Sequence, residues 1–372
     1  MFKSRNVKVA WATSALVVLA LAGCSATPAP AAGGVDAATA TSAEAFGGLE
    51  GLVTAAQAEG QLNVIALPEN WANYGKIIAA FQTKYGITVN SASPDGSSAE
   101  EIQAADNSRG QDTAPDVFDL GSAVALASTD RFAPYQVANW ADIPEGNKEP
   151  TGLWVNDYTG SMSIGYNSAR FPAPTSLDSL LASEYSGAVA INGDPTQAGA
   201  AFAAIGMASV QNGGTLADFQ PGIDFFAKLN AAGNFLKVDP TPATIASGET
   251  GVVVDWSYNN LASAASVEGW KVTTLPGTAY ISYYNQAINN DAPNPAAARL
   301  WQEFLYSPEA QNLYLAAGAY PVTIAAMTAA GTVDADALAS VGPLPATAVT
   351  PTEAEVATAN TLLAANWARA IG

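Results

Sequence analysis

The sequence of 372 residues contains no histidine and only one cysteine. Without histidine, a catalytic triad or dyad with an imidazole base is excluded, and so is a zinc site with histidine ligands. One cysteine cannot form a disulfide within the chain, a cysteine-rich zinc site or a CxxC redox pair. These two absences remove the commonest routes to nucleophilic, metal-assisted and redox catalysis.

Positive charge is also scarce. Lys and Arg number 14 against 33 Asp and Glu, which gives a formal net charge of −19. So acidic a surface repels phosphate backbones, and we therefore expect no nucleic-acid partner. Charged residues make up only 13% of the chain, whereas apolar residues make up 49%, enough for sizeable cores. A chain of this length predicts two compact units with additional tails.

The N-terminus has the pattern of an export signal. Residues 1–8 carry three basic residues and no acid, and residues 9–22 form an uncharged, mostly apolar run. That run suits the core of a signal peptide and is too short to span a bilayer comfortably. Small residues then precede Cys24, an arrangement that resembles the bacterial lipoprotein cleavage box.

This resemblance implies a signal peptide at 1–23, lipidation of Cys24, and an extracytoplasmic protein that is lipid-anchored to the cell membrane. An ordinary signal peptide followed by an incidental cysteine is the alternative. Residues 24–48 are rich in Ala, Thr, Pro, Ser and Gly, a composition that predicts a flexible tether.

Strand and helix patterns alternate after the tether. Strands are predicted at 62–67, 87–90, 116–121, 161–166, 188–192, 251–256 and 271–275. Helices are predicted at 73–85, 97–108, 177–185, 198–211, 221–232, 258–266 and 351–370, with two further helices that begin after Asn294 and Ser307. This order favours an open, largely parallel sheet. Trp301, Phe304 and Tyr314 recur at helical spacing and are predicted to be core residues.

Five segments resemble the extracellular solute-binding proteins of ABC importers, in the branch that holds ferric-iron, polyamine, thiamine and phosphonate binders. They are AAQAEGQLNVIALPENW (55–71), PDVFDLGSA (115–123), SMSIGYN (161–167), INGDPTQAGAA (191–201) and NPAAARLWQEFLYSPEAQNLYLAAGAYPV (294–322). The last segment is the most specific, because its length is hard to match by chance.

The resemblance implies an α/β, two-lobed, periplasmic-binding-protein-like fold of type II with the ligand cleft between the lobes. Lobe 1 would begin with 49–155, lobe 2 would comprise 156–280, and 281–372 would return to lobe 1 and end in C-terminal helices. The crossings are expected near 153–158 and 278–286, and the lobes would close on the ligand.

The implied partners are a small-molecule solute and the permease and ATPase subunits of the importer. The chain has no GxxxxGK[ST] loop, so ATP would be used by the separate subunit. We expect a monomer that is not an enzyme and has no cofactor, no metal site and no catalytic residues.

Ligands of open α/β sheets bind beyond the carboxyl ends of the strands. This rule, together with the crossing segments, selects a set of polar and aromatic side chains as candidate ligand contacts. They are Asn70, Trp71, Ser122, Asp157, Tyr158, Asp194, Thr196, Gln197, Asp255, Trp256, Tyr258, Tyr283 and Tyr284.

Three classes of ligand compete for these residues. A carboxylate beside aromatic rings, as at Asp255 and Trp256, suits an organic cation such as a polyamine, which we rank first. The motif 194–197 is predicted to start a helix whose free N–H groups and Thr196 hydroxyl suit a phosphonate or another anion. Consecutive Tyr283 and Tyr284 suit a ferric ion, although no histidine is present to complete the usual ligand set.

Two functions of other classes stay open. A secreted enzyme of the glycosidase type would need two carboxylates that face one cleft, for which Asp157, Asp194 and Asp255 are the candidates. A surface adhesin lipoprotein would have no small ligand, and it predicts a closed, filled cleft with its aromatic residues packed elsewhere.

Overall fold

A computed structural model describes residues 34–372. The helices are α1 (Leu49–Glu59), α2 (Tyr74–Tyr85), α3 (Ser98–Asn107), α4 (Ser122–Ala127), α5 (Gly199–Gln211), α6 (Gln220–Ala231), α7 (Pro242–Ser247), α8 (Ser257–Ser266), α9 (Pro295–Leu305), α10 (Pro308–Ala316), α11 (Ile324–Ala330), α12 (Ala335–Val341) and α13 (Glu353–Ile371). The strands are β1 (Gln61–Ile65), β2 (Thr88–Ala92), β3 (Val117–Gly121), β4 (Phe132–Ala133), β5 (Val155–Asn167), β6 (Val189–Ile191), β7 (Val252–Trp256), β8 (Trp270–Thr273), β9 (Ala279–Asn289), β10 (Tyr320–Pro321) and β11 (Ala348–Val349).

The predicted signal peptide and the lipidation site at Cys24 lie outside the described residues, as does the first part of the predicted tether. Within residues 34–372, no helix combines the length and the apolar character that a membrane crossing requires.

Two long antiparallel strands, β5 and β9, run through both halves of the molecule. Their pairing extends from Val155 opposite Gln286 to Ser161 opposite Ile281, with an irregularity between Asn156 and Thr159. Strands β3 and β4 pair with the second half of β9, on the side that we call lobe 1. Strands β7 and β8 pair with the second half of β5, on the side that we call lobe 2. The prediction of a two-lobed α/β fold is confirmed.

The sheets are mixed, whereas the sequence predicted a largely parallel arrangement. Parallel pairing is present between β1 and β2, between β6 and β7, and between β9 and β11. The difference arises at β5 and β9, because each of these strands crosses between the lobes and lies antiparallel to most of its neighbours.

Local sequence signals explain where several helices begin and end. Ser97 and Glu100 form a reciprocal capping box at the start of α3, as the Ser and early acids of that segment indicated.

The predicted helix at 177–185 is wrong. Two 3-10 turns, Asp178–Leu181 and Ser183–Tyr185, occupy it and bury Leu180 and Tyr185 without a continuous helix. Helix α7 was not predicted, although Thr241 caps it and Pro242 occupies its first turn.

The segment before α1 is packed against lobe 1. It forms 3-10 turns at Ala37–Thr39 and Ala43–Phe46. The buried guanidinium of Arg299 donates hydrogen bonds to the carbonyl oxygens of Ala38 and Ala40, both at 2.7 Å. These contacts hold the end of the segment that composition alone predicted to be a free tether.

Helix α13 packs on α6 of lobe 2 through one apolar face, and it also contacts α4, which follows β3 of lobe 1. The buried residues of this face are Val356, Ala359, Leu363, Trp367 and Ile371. The Trp367 ring lies 6.0 Å from Phe226 of α6 and 6.2 Å from Phe235, measured between ring centroids. The chain after β9 therefore builds part of lobe 1 and then returns to lobe 2. Trp301, Phe304 and Tyr314 are fully buried, as predicted.

We expect Trp367→Ala to destabilise the protein by about 3 kcal/mol, because it leaves a cavity against two aromatic rings. The measurement is urea-induced unfolding of residues 34–372. Thr361→Ala is the matched control, since Thr361 is exposed on the same helix and should change stability by less than about 0.5 kcal/mol. Equal stabilities of the two variants would contradict the docking of α13 on lobe 2.

Candidate functional site

A cavity of about 290 Å³ lies between the two lobes. Loops after β1 and β2, strand β3 and the start of α3 contribute its lobe 1 side, and residues 192–200, 239–245 and 255–263 contribute its lobe 2 side. Seven of the lining residues are acidic, and none is Lys or Arg. The acidic residues are Asp95, Glu100, Glu101, Asp119, Asp194, Asp239 and Asp255.

Asp255 occupies the end of β7, where the strand passes into α8. Its Oδ2 accepts hydrogen bonds from the amides of Asn192 and Asn259, both at 3.1 Å, and its Oδ1 accepts one from the backbone N–H of Trp256 at 2.7 Å. Burial raises the pKa of this carboxyl to about 6, and the three hydrogen bonds oppose the rise. Asp255 is therefore mainly ionised at neutral pH.

Asp119 is a second buried carboxyl in the cavity wall, on β3. Its Oδ2 accepts a hydrogen bond from the Tyr158 hydroxyl at 3.1 Å, whereas its Oδ1 is buried without a hydrogen-bond partner. Its backbone N–H donates to Glu101, whose side chain is also buried. Burial, with the nearby Asp157 charge, raises the pKa of Asp119 well above its usual value, and burial with the Asp119 charge does the same for Glu101.

Trp71 and Tyr284 provide the aromatic part of the cavity lining. The Trp71 indole N–H donates to the Tyr158 hydroxyl at 2.7 Å, and the Trp71 ring meets the rings of Tyr258 and Tyr284 edge to face. The indole of Trp256 in turn donates to the Tyr284 hydroxyl at 3.4 Å. A layer of buried aromatic side chains thus holds the two rings of the lining in position.

Six of the thirteen predicted contact residues line the cavity. They are Asn70, Trp71, Asp194, Gln197, Asp255 and Tyr284. The other seven, which do not line it, are Ser122, Asp157, Tyr158, Thr196, Trp256, Tyr258 and Tyr283.

Most of these seven residues lie behind the lining. Tyr158, Trp256 and Tyr258 are fully buried and contact Trp71 or Tyr284 instead of the cavity. Tyr283 and Tyr284 point to opposite faces of β9, as consecutive strand residues do, and only Tyr284 reaches the cavity. The Ser122 hydroxyl donates to the carbonyl oxygen of Tyr283.

Asp157 lies in a buried cluster behind the cavity wall, close enough for its charge to act on Asp119. Its Oδ2 accepts hydrogen bonds from the hydroxyls of Tyr74 and Tyr314 and from the amide of Gln286, at 3.0–3.2 Å. Burial raises the pKa of this carboxyl to about 7, although these hydrogen bonds lower it. Asp157 was predicted as a ligand contact because it lies in the crossing segment near 153–158, but its side chain points into the core.

The predicted helix start at 194–197 is a turn. Asp194 Oδ1 accepts hydrogen bonds from the backbone N–H of Thr196 at 2.7 Å and from its hydroxyl at 2.5 Å. This Asx turn occupies the Thr196 hydroxyl, and α5 begins later, at Gly199. The helix end that borders the cavity is thus formed by Gly199 and Ala200.

Sequence reasoning missed several acidic and amide residues of the lining, chiefly Glu101, Asp119, Asn192 and Asn259. A signal for Asp119 was present, because it interrupts an apolar strand, VFDLG, as Asp255 interrupts VVVDW. Glu101 carried no such signal, since an acid in the first turn of a helix is ordinarily exposed and favourable there.

The two lobes touch beside the cavity through backbone atoms. The N–H of Ala99 in α3 donates to the carbonyl oxygen of Gln197 at 3.2 Å. A Cβ on Gly121 would lie 2.5 Å from Cα of Gly199, which is too close for any real contact. The structure therefore shows the lobes closed, with their backbones so near each other at Gly121 and Gly199 that only glycine fits at this contact.

Two α/β lobes that close over a polar cavity define a receptor for a small solute. The chain belongs to the bacterial extracellular solute-binding proteins, because the sequence model of that family matches residues 114–340. The resemblance seen in the five sequence segments is confirmed. No curated protein matches the sequence significantly.

Solved structures with the same fold differ in the ligands they are described with. AfuA from Actinobacillus pleuropneumoniae, a periplasmic binding protein with bound fructose-6-phosphate, has a TM-score of 0.62 at 16% identity over 84% of this chain and 99% of its own. Iron-bound HitA from Pseudomonas aeruginosa has a TM-score of 0.59 at 19% identity, with coverages of 84% and 99%. The spermidine/putrescine ABC transporter substrate-binding protein PotD from Streptococcus pneumoniae has a TM-score of 0.53 at 14% identity, with coverages of 74% and 86%. At these identities the similarity shows the fold alone.

We expect Gly121→Ala to hold the lobes apart, because the added methyl group would overlap Gly199. Small-angle X-ray scattering of the purified protein should show a larger radius of gyration than that of the wild type. Gly146→Ala is the matched control, since a Cβ there meets nothing within 4 Å. An unchanged radius of gyration in Gly121→Ala would contradict the closed contact.

Proposed function

We propose that this protein is the substrate-binding component of an ABC importer and that its solute is a small organic cation of the polyamine type. It would capture the solute outside the cell and deliver it to a membrane permease, with ATP used by a third subunit. The observation that carries the choice of ligand is the charge of the cavity, which has seven acidic lining residues and no basic one.

Electrostatics favours a cation in such a cavity. An anion would enter a partly desolvated space without a guanidinium or ammonium group to balance its charge, whereas charges are ordinarily buried only with a partner. An ammonium group near Asp255 would meet a carboxylate that is ionised at neutral pH and held by two asparagine amides.

The aromatic lining supports an elongated organic cation over a simple metal ion. Trp71 and Tyr284 present ring surface that can cover methylene groups and attract ammonium groups, with about 0.5–2 kcal/mol for each cation–π contact. The described residues contain no group of three acidic, histidine or cysteine side chains placed to hold a metal. Because Tyr283 and Tyr284 face opposite sides of β9, the pair of phenolates considered for ferric iron does not meet in the cavity.

A zwitterion with a cationic and an anionic end is the second candidate. Gly199 and Ala200 form the first turn of α5 at the cavity, and N–H groups at a helix start attract anions. A ligand such as 2-aminoethylphosphonate would place its amine among the carboxylates and its phosphonate at this helix start. A purely anionic ligand has less support, because the acidic side chains would oppose it.

Functions of other classes have less support than solute capture. The adhesin hypothesis predicts a filled cleft, whereas the cavity measures about 290 Å³. For a glycosidase, Asp157 does not face the cavity, which leaves Asp194 and Asp255 of the three candidates. The proposal therefore includes no catalytic residue and no cofactor, and it retains a lipid anchor at Cys24 and a monomeric protein.

A thermal-shift panel on residues 34–372 tests the ligand class. We expect spermidine or putrescine to raise the melting temperature by several degrees, since a ligand at about 1,000 times its Kd contributes about 4 kcal/mol. The panel also contains 2-aminoethylphosphonate, thiamine, phosphate, sulfate and ferric citrate. A shift with 2-aminoethylphosphonate alone would support the zwitterion, and a shift with phosphate or ferric citrate alone would contradict the cation proposal.

We expect Asp255→Asn to weaken binding of the active cation by at least about tenfold, because the carboxylate that faces the ammonium group is lost. Isothermal titration calorimetry measures the affinity, and the melting temperature without ligand shows whether the variant is folded. Asp239→Asn is the control, since Asp239 lines the same cavity but is exposed to solvent. Similar affinities for the two variants would exclude Asp255 as the main cation contact.

A further inference from the structure

We infer that Asp119 carries a proton on Oδ1 in the empty cavity and releases it to solvent when an ammonium group binds there. Uptake of a cation would thus be an exchange for a proton at this side chain. The inference rests on the cation-binding function proposed above, but the state of Asp119 in the empty protein can be tested without any ligand.

The hydrogen bonds around Asp119 leave one oxygen for this role. An indole N–H can only donate, so the Tyr158 hydroxyl oxygen accepts from Trp71 and its own proton is directed to Oδ2 of Asp119. This series of hydrogen bonds fixes Oδ2 of Asp119 as an acceptor. Oδ1 is buried and has no partner among the described residues. A buried carboxyl oxygen without a partner can either carry a proton itself or accept a hydrogen bond from an ammonium group.

The surroundings of Asp119 favour its neutral form. Its side chain is 95% buried, and no Lys or Arg lines the cavity. The ionisable groups that interact with it come from α2, α3, β5, α8, β9, α10 and the residue that follows α9. Each of them is an acid or a phenol: Tyr74, Glu101, Asp157, Tyr158, Tyr258, Tyr284, Tyr306 and Tyr314. Gln286 of β9 is opposite Asp119 in the strand register and is uncharged. Desolvation, followed by the Asp157 charge, opposes ionisation of Asp119, whereas the Tyr74 and Tyr158 hydroxyls and the Gln286 amide favour the ionised form less strongly.

A bound ammonium group reverses this balance. It supplies the missing positive charge beside Oδ1, so that the ionised carboxyl becomes the favoured form and the O–H bond breaks with release of the proton to water. Because the bound state then holds fewer protons than the empty state, affinity for the cation rises with pH. The rise is at most about tenfold per pH unit for one proton released, and it ends where Asp119 is already ionised in the empty protein.

The first experiment is infrared spectroscopy of the ligand-free protein at neutral pH, which detects the carbonyl stretch of a neutral carboxylic acid. We expect the wild type to show such a band and Asp119→Asn to lose part of it. Asp142→Asn is the control, because Asp142 is exposed and does not line the cavity. An unchanged band in Asp119→Asn would overturn the inference, whether or not a ligand is known.

The second experiment is calorimetric titration with spermidine in two buffers of different ionisation enthalpy, which counts the protons released. We expect release of up to about one proton per bound spermidine in the wild type and in Asp142→Asn, and less in Asp119→Asn. Binding without proton release in the wild type would overturn the exchange. If the neutral-acid band is present but neither spermidine nor putrescine binds, the cation function fails while the protonated Asp119 stands. If Asp119→Asn does not fold, the pH dependence of spermidine affinity in the wild type decides, since a pH-independent affinity contradicts the exchange.

Discussion

The pairing of β5 with β9 is the constraint on which the rest of the structure depends. Each of these strands supplies its first half to one lobe and its second half to the other, so a single ladder of hydrogen bonds connects the two sheets. The irregularity between Asn156 and Thr159 lies within this ladder, in the region where the chain passes between the lobes. The cavity is formed where loops from both lobes come together beside this ladder, so its shape follows from how the lobes are joined.

The acidic residues of the cavity have no basic partner in its lining, and three of them, Glu101, Asp119 and Asp255, are buried. In a folded core, carboxyl groups without cationic partners are costly and usually shift toward the neutral form. Here burial raises the pKa of Asp255 to about 6 and the pKa values of Asp119 and Glu101 well above their usual range. Such groups destabilise the empty protein in their charged forms, and a matching cation would relieve that cost. The same residues can thus weaken the fold and strengthen the binding of a ligand.

The fold class followed from the sequence because alternating strands and helices, and the late helix pair, are repeated local patterns. The individual site residues followed less well. Asp255 was found because it ends a run of valines that reads as a strand, whereas Asp119, in an equivalent position after Val117 and Phe118, was passed over as part of the strand. Asp157 was predicted to contact the ligand because of its place along the chain. Which way its side chain points depends on the irregular pairing of β5 between Asn156 and Thr159, and no local pattern in the sequence shows that irregularity.

The contact between Gly121 and Gly199 sets a lower limit on the cleft that does not depend on its occupant. Backbone atoms stop the lobes at the same angle whether the ligand is small or absent, so the closed cavity has a fixed minimum volume. A solute larger than this volume would hold the lobes apart and would expose the edges of the cavity to water. The size of the solute would then determine whether the two lobes meet. A protein that docks on both lobes would respond to that difference without contacting the solute.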